Sequence, residues 1–230
     1  MHLHEESHLH GKTIIEHDFP EEYAELTAVL TSADVPLREP GPYQEGRGKP
    51  PKRQSRGGKM FLLPADLPSL NKEFDAAFRA LDWQPQPYAS DKVFALTKDR
   101  SRGDFQKNGV FVEVEFGNTA SMFRDLFKFQ VANRERKGEV AVLVTPVSRL
   151  ARLHDSGVTT FEKIQGLMPY LAVSIQMPIW VIGLEPESFD SLRIRYGQMA
   201  AEAEAHGQLC HSVDDAMRGD FTEDENESGD

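Results

Sequence analysis

The sequence predicts an α/β fold in which helices flank a mixed central β-sheet. Segments with strand-like and helix-like patterns alternate through the middle of the chain, as expected of such a fold. The segments "GEVAVLVTP" and "PIWVIGLEP" are almost continuously apolar, which is typical of strands buried on both faces of a sheet. A chain of 230 residues with 39% hydrophobic composition is long enough for one globular domain.

The individual elements follow from local signals. Pro20 suits the first turn of a helix, as do the acidic residues Glu21 and Glu22 beside it. Ser69 is a candidate N-cap for an amphipathic helix, and Asn108-Gly109 is a favoured hairpin turn. The first half of the chain is expected to contain a strand at 12–19, helices at 20–33 and 67–83, and a strand at 92–97. A hairpin at 104–116, a helix at 119–135, a strand at 138–146, helical or irregular chain at 147–176 and a strand at 178–186 are expected to follow.

Charge is unevenly distributed along the chain. The net charge is −11, and residues 214–230 hold eight acidic residues and one arginine, so this acidic tail is expected to be disordered. The rest of the chain is nearly balanced, which neither supports nor excludes a nucleic-acid partner. No apolar run could span a membrane, no signal pattern opens the chain, and Cys210 is the single cysteine, so a cytoplasmic protein is expected.

Two segments have a functional and a neutral interpretation. Residues 38–59 are rich in glycine, proline and charge, with six basic residues and no acid between Arg47 and Lys59. They form either a basic arm that contacts phosphates through Lys52, Arg53 and Arg56 or a solvated loop. The histidines at positions 2, 4, 8 and 10 either bind a metal or are simply solvated.

The segment "GVFVEVEF" at residues 109–116 is a strand with an acidic face. Because side chains alternate along a strand, Glu113 and Glu115 point away from the valines, about 7 Å apart. Asp104 adds a third carboxylate nearby, since the hairpin carries it beside Glu113. Such acids predict a Mg²⁺ site for phosphoryl transfer; the alternative is a solvent-facing edge strand.

With these residues in view, the sequence resembles the BglII/BstYI-type restriction endonucleases of the PD-(D/E)xK nuclease superfamily. The resemblance rests on "GDFQKNGVFVEVEFGNTASMFRDLFKFQ" together with "SHLHG", "LNKEFDAAFRALDW", "VAVLVTP" and "PIWVIGLEP", in the same order over roughly residues 7–187. It implies a restriction-endonuclease-like catalytic domain over residues 1–187, which includes the basic arm, and a C-terminal extension over 188–230.

The resemblance also implies roles for individual residues. Asp104 and Glu113 match the metal-binding acids, with the main-chain carbonyl of Val114 as a further Mg²⁺ ligand. Glu115 stands where most of the superfamily has lysine and is a candidate base. Asn71, with Glu73 as the alternative, matches a polar group supplied by a helix. Asn118 replaces a lysine of one relative and keeps the ability to hydrogen-bond DNA.

Contacts to DNA are expected from two further places. Arg102 and Lys107 flank the acids and are candidates for phosphate contacts. The turn "HDSGVTT" is either an ordinary surface turn or a base-reading loop, whose candidates are Asp155, Ser156, Thr159 and Thr160. Arg124 and Lys128 are expected on a solvated helix face.

The expected activity is Mg²⁺-dependent cleavage of double-stranded DNA by a homodimer, at a palindrome that contains GATC. A cognate DNA methyltransferase would protect the cell's own DNA. The alternatives are a related nuclease for repair or for modified DNA, and a DNA-binding protein of the same fold without catalysis.

Overall fold

A computed structural model describes residues 1–40, 52–54, 60–90, 102–155, 157–171 and 173–207. The strand predicted at 92–97 and the acidic tail at 214–230 lie outside these residues. Most of the basic arm lies outside them too.

The described part of the chain contains eight strands: β1 (His2–His8), β2 (Lys52–Gln54), β3 (Met60–Leu62), β4 (Gln84–Pro85), β5 (Phe105–Lys107), β6 (Val110–Val114), β7 (Val140–Pro146) and β8 (Ile179–Glu185). Six of them form one mixed sheet in the order β1-β8-β7-β6-β5-β4. The strands β6, β7 and β8 are parallel to each other, and the remaining pairs in this sheet are antiparallel. The mixed sheet predicted from the sequence is therefore confirmed.

Helices cover both faces of this sheet. They are α1 (Gly11–Asp18), α2 (Pro20–Ser32), α3 (Leu67–Ala80), α4 (Thr119–Arg134), α5 (Ser148–Arg152), α6 (Phe161–Leu171) and α7 (Phe189–Ala205). No helix in the described part of the chain combines the length and apolar character that a membrane crossing requires.

The alternation of side chains along the strands divides the core in two. Val110, Val112 and Val114 join the core on the side of α2, α3 and α7. Phe111 belongs to the core on the other side, with residues of α4 and α6. Because the two cores pack against opposite sides of β6, both of its faces are buried, and this is the strand that carries Glu113.

The N-terminal region differs from the prediction. Residues 12–19, expected as a strand, belong to helix α1 or follow it directly, and the edge strand is His2–His8 instead. This edge strand exposes most of its side chains, so its sequence lacks the apolar alternation that identifies a strand. Its pairing with β8, a contact distant in sequence, determines its conformation.

The other elements agree with the predictions except in detail. Asn108 and Gly109 form the β5–β6 turn with φ values of 47° and 97°, as an Asn-Gly hairpin requires. Helix α3 begins at Leu67, so Asp66 rather than Ser69 precedes it, and the Ser69 hydroxyl donates to Asp66. Helix α7, within the predicted C-terminal extension, buries Leu192 and Tyr196 in the core.

The close packing of α1 against β8 at Gly11 predicts that a larger residue there destabilises the fold. A Cβ atom at Gly11 would lie 2.3 Å from the main-chain carbon of Ile179, so Gly11→Ala is expected to destabilise the fold by about 2 kcal/mol or more. The control is Gly166→Ala, where a Cβ meets nothing within 4 Å on helix α6 and alanine favours the helix. Urea unfolding measures both, and equal stability of the two variants would contradict the close packing at Gly11.

Candidate active site

The β5–β6 hairpin brings Asp104 and Glu113 to one place. Asp104 immediately precedes β5, and its Oδ2 accepts the main-chain N–H of Val114 at 2.8 Å. No described residue donates to the other oxygen of Asp104. Its carboxylate is therefore fixed across the hairpin with one oxygen left for another partner.

The two glutamates of this segment are buried. Glu113 is 3% exposed and Glu115 is 7% exposed, so the interpretation of β6 as a solvent-facing edge strand is wrong. Buried carboxylates are costly unless they are neutralised or paired.

Helix α4 supplies the compensating charge. Lys128 Nζ lies 2.6 Å from Glu113 Oε1 and 2.7 Å from Asp125 Oδ1, and it donates to the main-chain oxygen of Arg102 at 2.9 Å. Arg124, whose side chain is 61% exposed, approaches Glu115 Oε2 only to 4.0 Å. Asp125 and Lys128 are themselves buried.

The prediction that Lys128 lies on a solvated helix face is therefore wrong, and Asp125 was missed altogether. The buried stripe of α4 contains Met122, Leu126, Phe129 and Ala132, whereas Phe123 and Phe127 are exposed. Asp125 and Lys128 lie within this stripe at a spacing of three residues. That spacing, on the same face as Met122 and Phe129, is the signal that could have identified them.

Burial and the shared charges raise the pKa of all three acidic residues of the hairpin segment. Burial is the main cause of the raised pKa of Asp104 and of Glu113, the latter well above its ordinary value. Burial, followed by a hydrogen bond with Asp125, raises the pKa of Glu115 to about 8. Burial alone would lower the pKa of Lys128, but the nearby carboxylates outweigh it and raise that pKa.

These groups form one wall of a cavity of about 490 Å³. Asn71 of α3, Arg102 and His154 line other parts of it. Glu73, the alternative to Asn71, is exposed and does not line the cavity. Of the two predicted helix residues, the structure therefore brings only Asn71 to the acids.

The oxygen atoms at this wall suit a hard divalent cation. Glu113 Oε1 and Asp125 Oδ1 each lie within 2.7 Å of Lys128 Nζ, so both are held in charge-assisted contacts with the ammonium. The described residues contain no group of three acidic, histidine or cysteine side chains that could hold a metal alone. Mg²⁺ commonly takes one or two carboxylates and completes its shell with water, carbonyl and substrate oxygens, so the donor set fits this ion.

Of the three predicted DNA contacts around the hairpin, Arg102 lines the cavity, whereas Lys107 and Asn118 do not. Arg102 lines the cavity and packs over the Tyr88 ring at 4.4 Å. Lys107 instead pairs with Glu25 at 2.7 Å and donates to Leu81 O, away from the cavity lining. Asn118 is exposed and caps α4 by accepting the N–H of Ser121.

Three of the four predicted base-reading residues are buried or hydrogen-bonded within the turn itself. Thr159 is fully buried and Thr160 is 4% exposed, so in this conformation neither hydroxyl is available to a base edge. Asp155 accepts the N–H of Gly157 at 3.0 Å, and Ser156 lies outside the described residues.

The basic arm begins next to a residue that lines the cavity, His154. Leu37 bridges to Ala65, and Arg38 Nη2 lies 3.0 Å from His154 Nδ1. Lys52 and Arg53 belong to strand β2, and Arg56 lies outside the described residues.

The comparison with protein families agrees with this geometry. The model described as "Restriction endonuclease BglII/BglIII" matches residues 3–184. The chain belongs to this family. As a restriction endonuclease of the BglII/BglIII family, it is a Type II site-specific deoxyribonuclease that binds DNA, and such enzymes generally use a divalent metal. The resemblance inferred from the sequence is confirmed.

Solved structures show the same fold at low sequence identity. A crystal structure of restriction endonuclease BglII complexed with a DNA 16-mer is similar with a TM-score of 0.65 and 16% identity, covering 82% of this chain and 80% of that chain. Free BglII is similar with a TM-score of 0.54 and 16% identity, covering 82% of each chain. A search of the curated proteins found no matching sequence.

The raised pKa of Glu115 predicts how stability depends on pH without metal. The folded chain keeps a proton that the unfolded chain releases above about 4.5, so this contribution to stability is complete below that pH and is lost as pH rises through about 8. The melting temperature in EDTA is expected to fall between about pH 5 and pH 9.

Glu115→Gln is the matched control because it removes one titrating group at constant shape. Its melting temperature is expected to fall less steeply, since only Asp104 and Glu113 still contribute to the slope. A variant profile parallel to that of the wild type would show that Glu115 titrates normally in the folded protein.

Proposed function

We propose that this enzyme hydrolyses double-stranded DNA with Mg²⁺ at a short palindrome containing GATC and leaves 5′-phosphate ends. The observation that carries the proposal is the fixed hairpin, which presents Asp104 and the buried Glu113 to one cavity beside Glu115 and Asp125. The GATC core comes from the resemblance of the sequence to its family.

Asp104, Glu113 and the main-chain carbonyl of Val114 would hold the ion. Bound there, Mg²⁺ would neutralise charge on the scissile phosphate and activate water. The second oxygen of Asp104, to which no described residue donates, and the burial of Glu113 support this assignment. Asn71, which also lines the cavity, would orient the phosphate or the water by hydrogen bonding.

Glu115 is the proposed general base. During hydrolysis the water oxygen bonds to phosphorus, the bond from phosphorus to the 3′ oxygen breaks, and one water proton passes to Glu115. The leaving 3′ oxygen takes a proton from solvent, so the products are a 5′-phosphate and a 3′-hydroxyl. Burial raises the pKa of Glu115 to about 8 in the metal-free site, and a cation bound beside it would favour the carboxylate form that a base requires.

DNA would be held by groups around the cavity. Arg102 lines it, Asn118 is exposed at the start of α4, and the arm with Lys52, Arg53 and Arg56 leaves the described chain next to His154. Lys107 and the turn residues Asp155, Ser156, Thr159 and Thr160 remain predicted DNA contacts. Thr159 and Thr160 would first require the turn to open, since both are buried.

We infer a homodimer that acts on both strands. Phe123 and Phe127, one turn apart on α4, are 46% and 56% exposed, and exposed aromatic residues on one helix face are typical of an interface. A two-fold protein suits a palindrome. The catalytic domain is proposed to span residues 1–187, followed by the extension at 188–230, and a cognate methyltransferase is proposed to protect host DNA.

A digest tests the proposed reaction. Unmethylated phage DNA is incubated with the purified protein in Mg²⁺ or in EDTA, and the fragment ends are sequenced. Discrete Mg²⁺-dependent fragments that share a palindrome with 5′-phosphate ends are expected. A smear, or cleavage only of methylated DNA, would refute site-specific cutting of this kind.

Substitutions in the acidic wall test the residue roles. Glu113→Gln is expected to slow single-turnover cleavage by at least about 100-fold, because a direct metal ligand should matter more than its outer-shell partners. DNA binding in EDTA should persist. Full Mg²⁺-dependent cleavage by this variant would overturn the metal assignment, and full activity of Glu115→Lys would show that Glu115 is not a required base.

Phe127→Asp tests the dimer. The charge is expected to shift the protein to a monomer in analytical ultracentrifugation and to replace double-strand cuts with nicks. Ile194→Asp is the matched control, since Ile194 is 62% exposed on α7. An unchanged dimer in Phe127→Asp would place the interface elsewhere.

A further inference from the structure

Lys128 is a buried cation at the cavity wall that the mechanism above does not use. Its side chain is only 5% exposed, although lysine almost never lies inside a protein unless it is paired. Arg124, the neighbouring cation on α4, is largely exposed and lies farther from the acids. Lys128 is thus the ammonium placed directly against Glu113.

Another paired lysine of this protein, Lys107, is placed differently. Lys107 pairs with both carboxylate oxygens of Glu25 in directed hydrogen bonds and donates to Leu81 O, and it does not line the cavity. Lys128 lines the cavity, and it donates a directed bond to the main chain of Arg102. Its ammonium also lies 2.6 Å from Glu113 Oε1 and 2.7 Å from Asp125 Oδ1.

A metal bound at Glu113 would weaken one of the contacts of Lys128 and leave its ammonium open to a new partner. An ammonium has three N–H donors, and without metal they face Arg102 O, Glu113 Oε1 and Asp125 Oδ1. A phosphate held through Glu113 would lie next to Nζ, because Nζ is already 2.6 Å from a Glu113 oxygen.

We propose that Lys128 is a catalytic residue whose ammonium contacts a non-bridging oxygen of the scissile phosphate, and that Asp125 positions it. This inference rests on the proposed function. Hydrolysis increases the charge on the non-bridging oxygens, and a cation fixed in advance in a buried site stabilises that charge. Lys128 keeps its proton throughout, so the balance of the reaction is unchanged.

The test must separate this role from simple charge compensation. Lys128→Met alone leaves Glu113 and Asp125 with uncompensated charge, which destabilises a buried site. The double variant Asp125→Asn with Lys128→Gln removes one charge of each sign and keeps groups able to hydrogen-bond. Lys12→Met is the control, since Lys12 pairs with Glu5 at 2.6 Å and does not line the cavity.

Three quantities are measured for each variant: the melting temperature in EDTA, DNA affinity in EDTA, and the single-turnover cleavage rate in Mg²⁺. The double variant is expected to melt above Lys128→Met and to bind DNA as the wild type does, yet to cleave at least about 100-fold more slowly. Lys12→Met is expected to cleave normally. Recovery of both stability and cleavage in the double variant would reduce Lys128 to a counter-ion for Asp125 and overturn the inference.

Lys128→Arg keeps the charge balance and tests the same role without removing the ion pair. It is expected to bind DNA normally and to cleave at a rate between those of the wild type and Lys128→Met. A folded Lys128→Arg variant that binds DNA but cleaves no faster than Lys128→Met would overturn the role of the positive charge. If the wild type itself does not cleave with Mg²⁺, the proposed function fails first, and the inference fails with it.

Discussion

Four carboxyl groups and one ammonium share a buried wall of one cavity, and the arrangement of the central strands and α4 follows from this concentration of charge. Glu113, Glu115 and Asp125 are each less than one-tenth exposed, so their charges cannot be dispersed into water. Lys128 compensates part of this charge and bonds to the main chain just before Asp104. Helix α4 therefore turns Lys128 and its apolar stripe inward and Phe127 outward.

The same constraint bears on the position of Glu113, which belongs to an interior strand whose five residues are all buried. Strand β6 is paired on both sides, and its two faces belong to separate halves of the core. Such a strand has little freedom to move, and the hydrogen bond from Val114 to Asp104 fixes the hairpin partner as well. A rigid support of this kind holds oxygen ligands in place before a metal or a phosphate arrives.

This arrangement reduces stability in order to serve function. Burial raises the pKa of Asp104, Glu113 and Glu115, which means that the folded chain resists their ionisation. A divalent cation would reverse this preference, since metal binding favours deprotonated ligands and adds its binding free energy to that of folding. Without a cation the ionised site would destabilise the fold, and a bound divalent cation would offset this destabilisation.

The central elements of the fold were predictable from local sequence patterns. Local patterns were sufficient for the Asn108-Gly109 turn, the apolar strands β7 and β8, and the helix that begins at Pro20. The hairpin then implied that Asp104 lies beside Glu113, because the register of a two-residue turn is fixed. Two findings came from tertiary contacts at the N-terminus: His2–His8 is a strand and 12–18 is helical. Tertiary packing also brings Asp125 and Lys128 to the acidic cavity. Each of these depends on contacts between residues distant in the chain, whose energies no local pattern of side chains records.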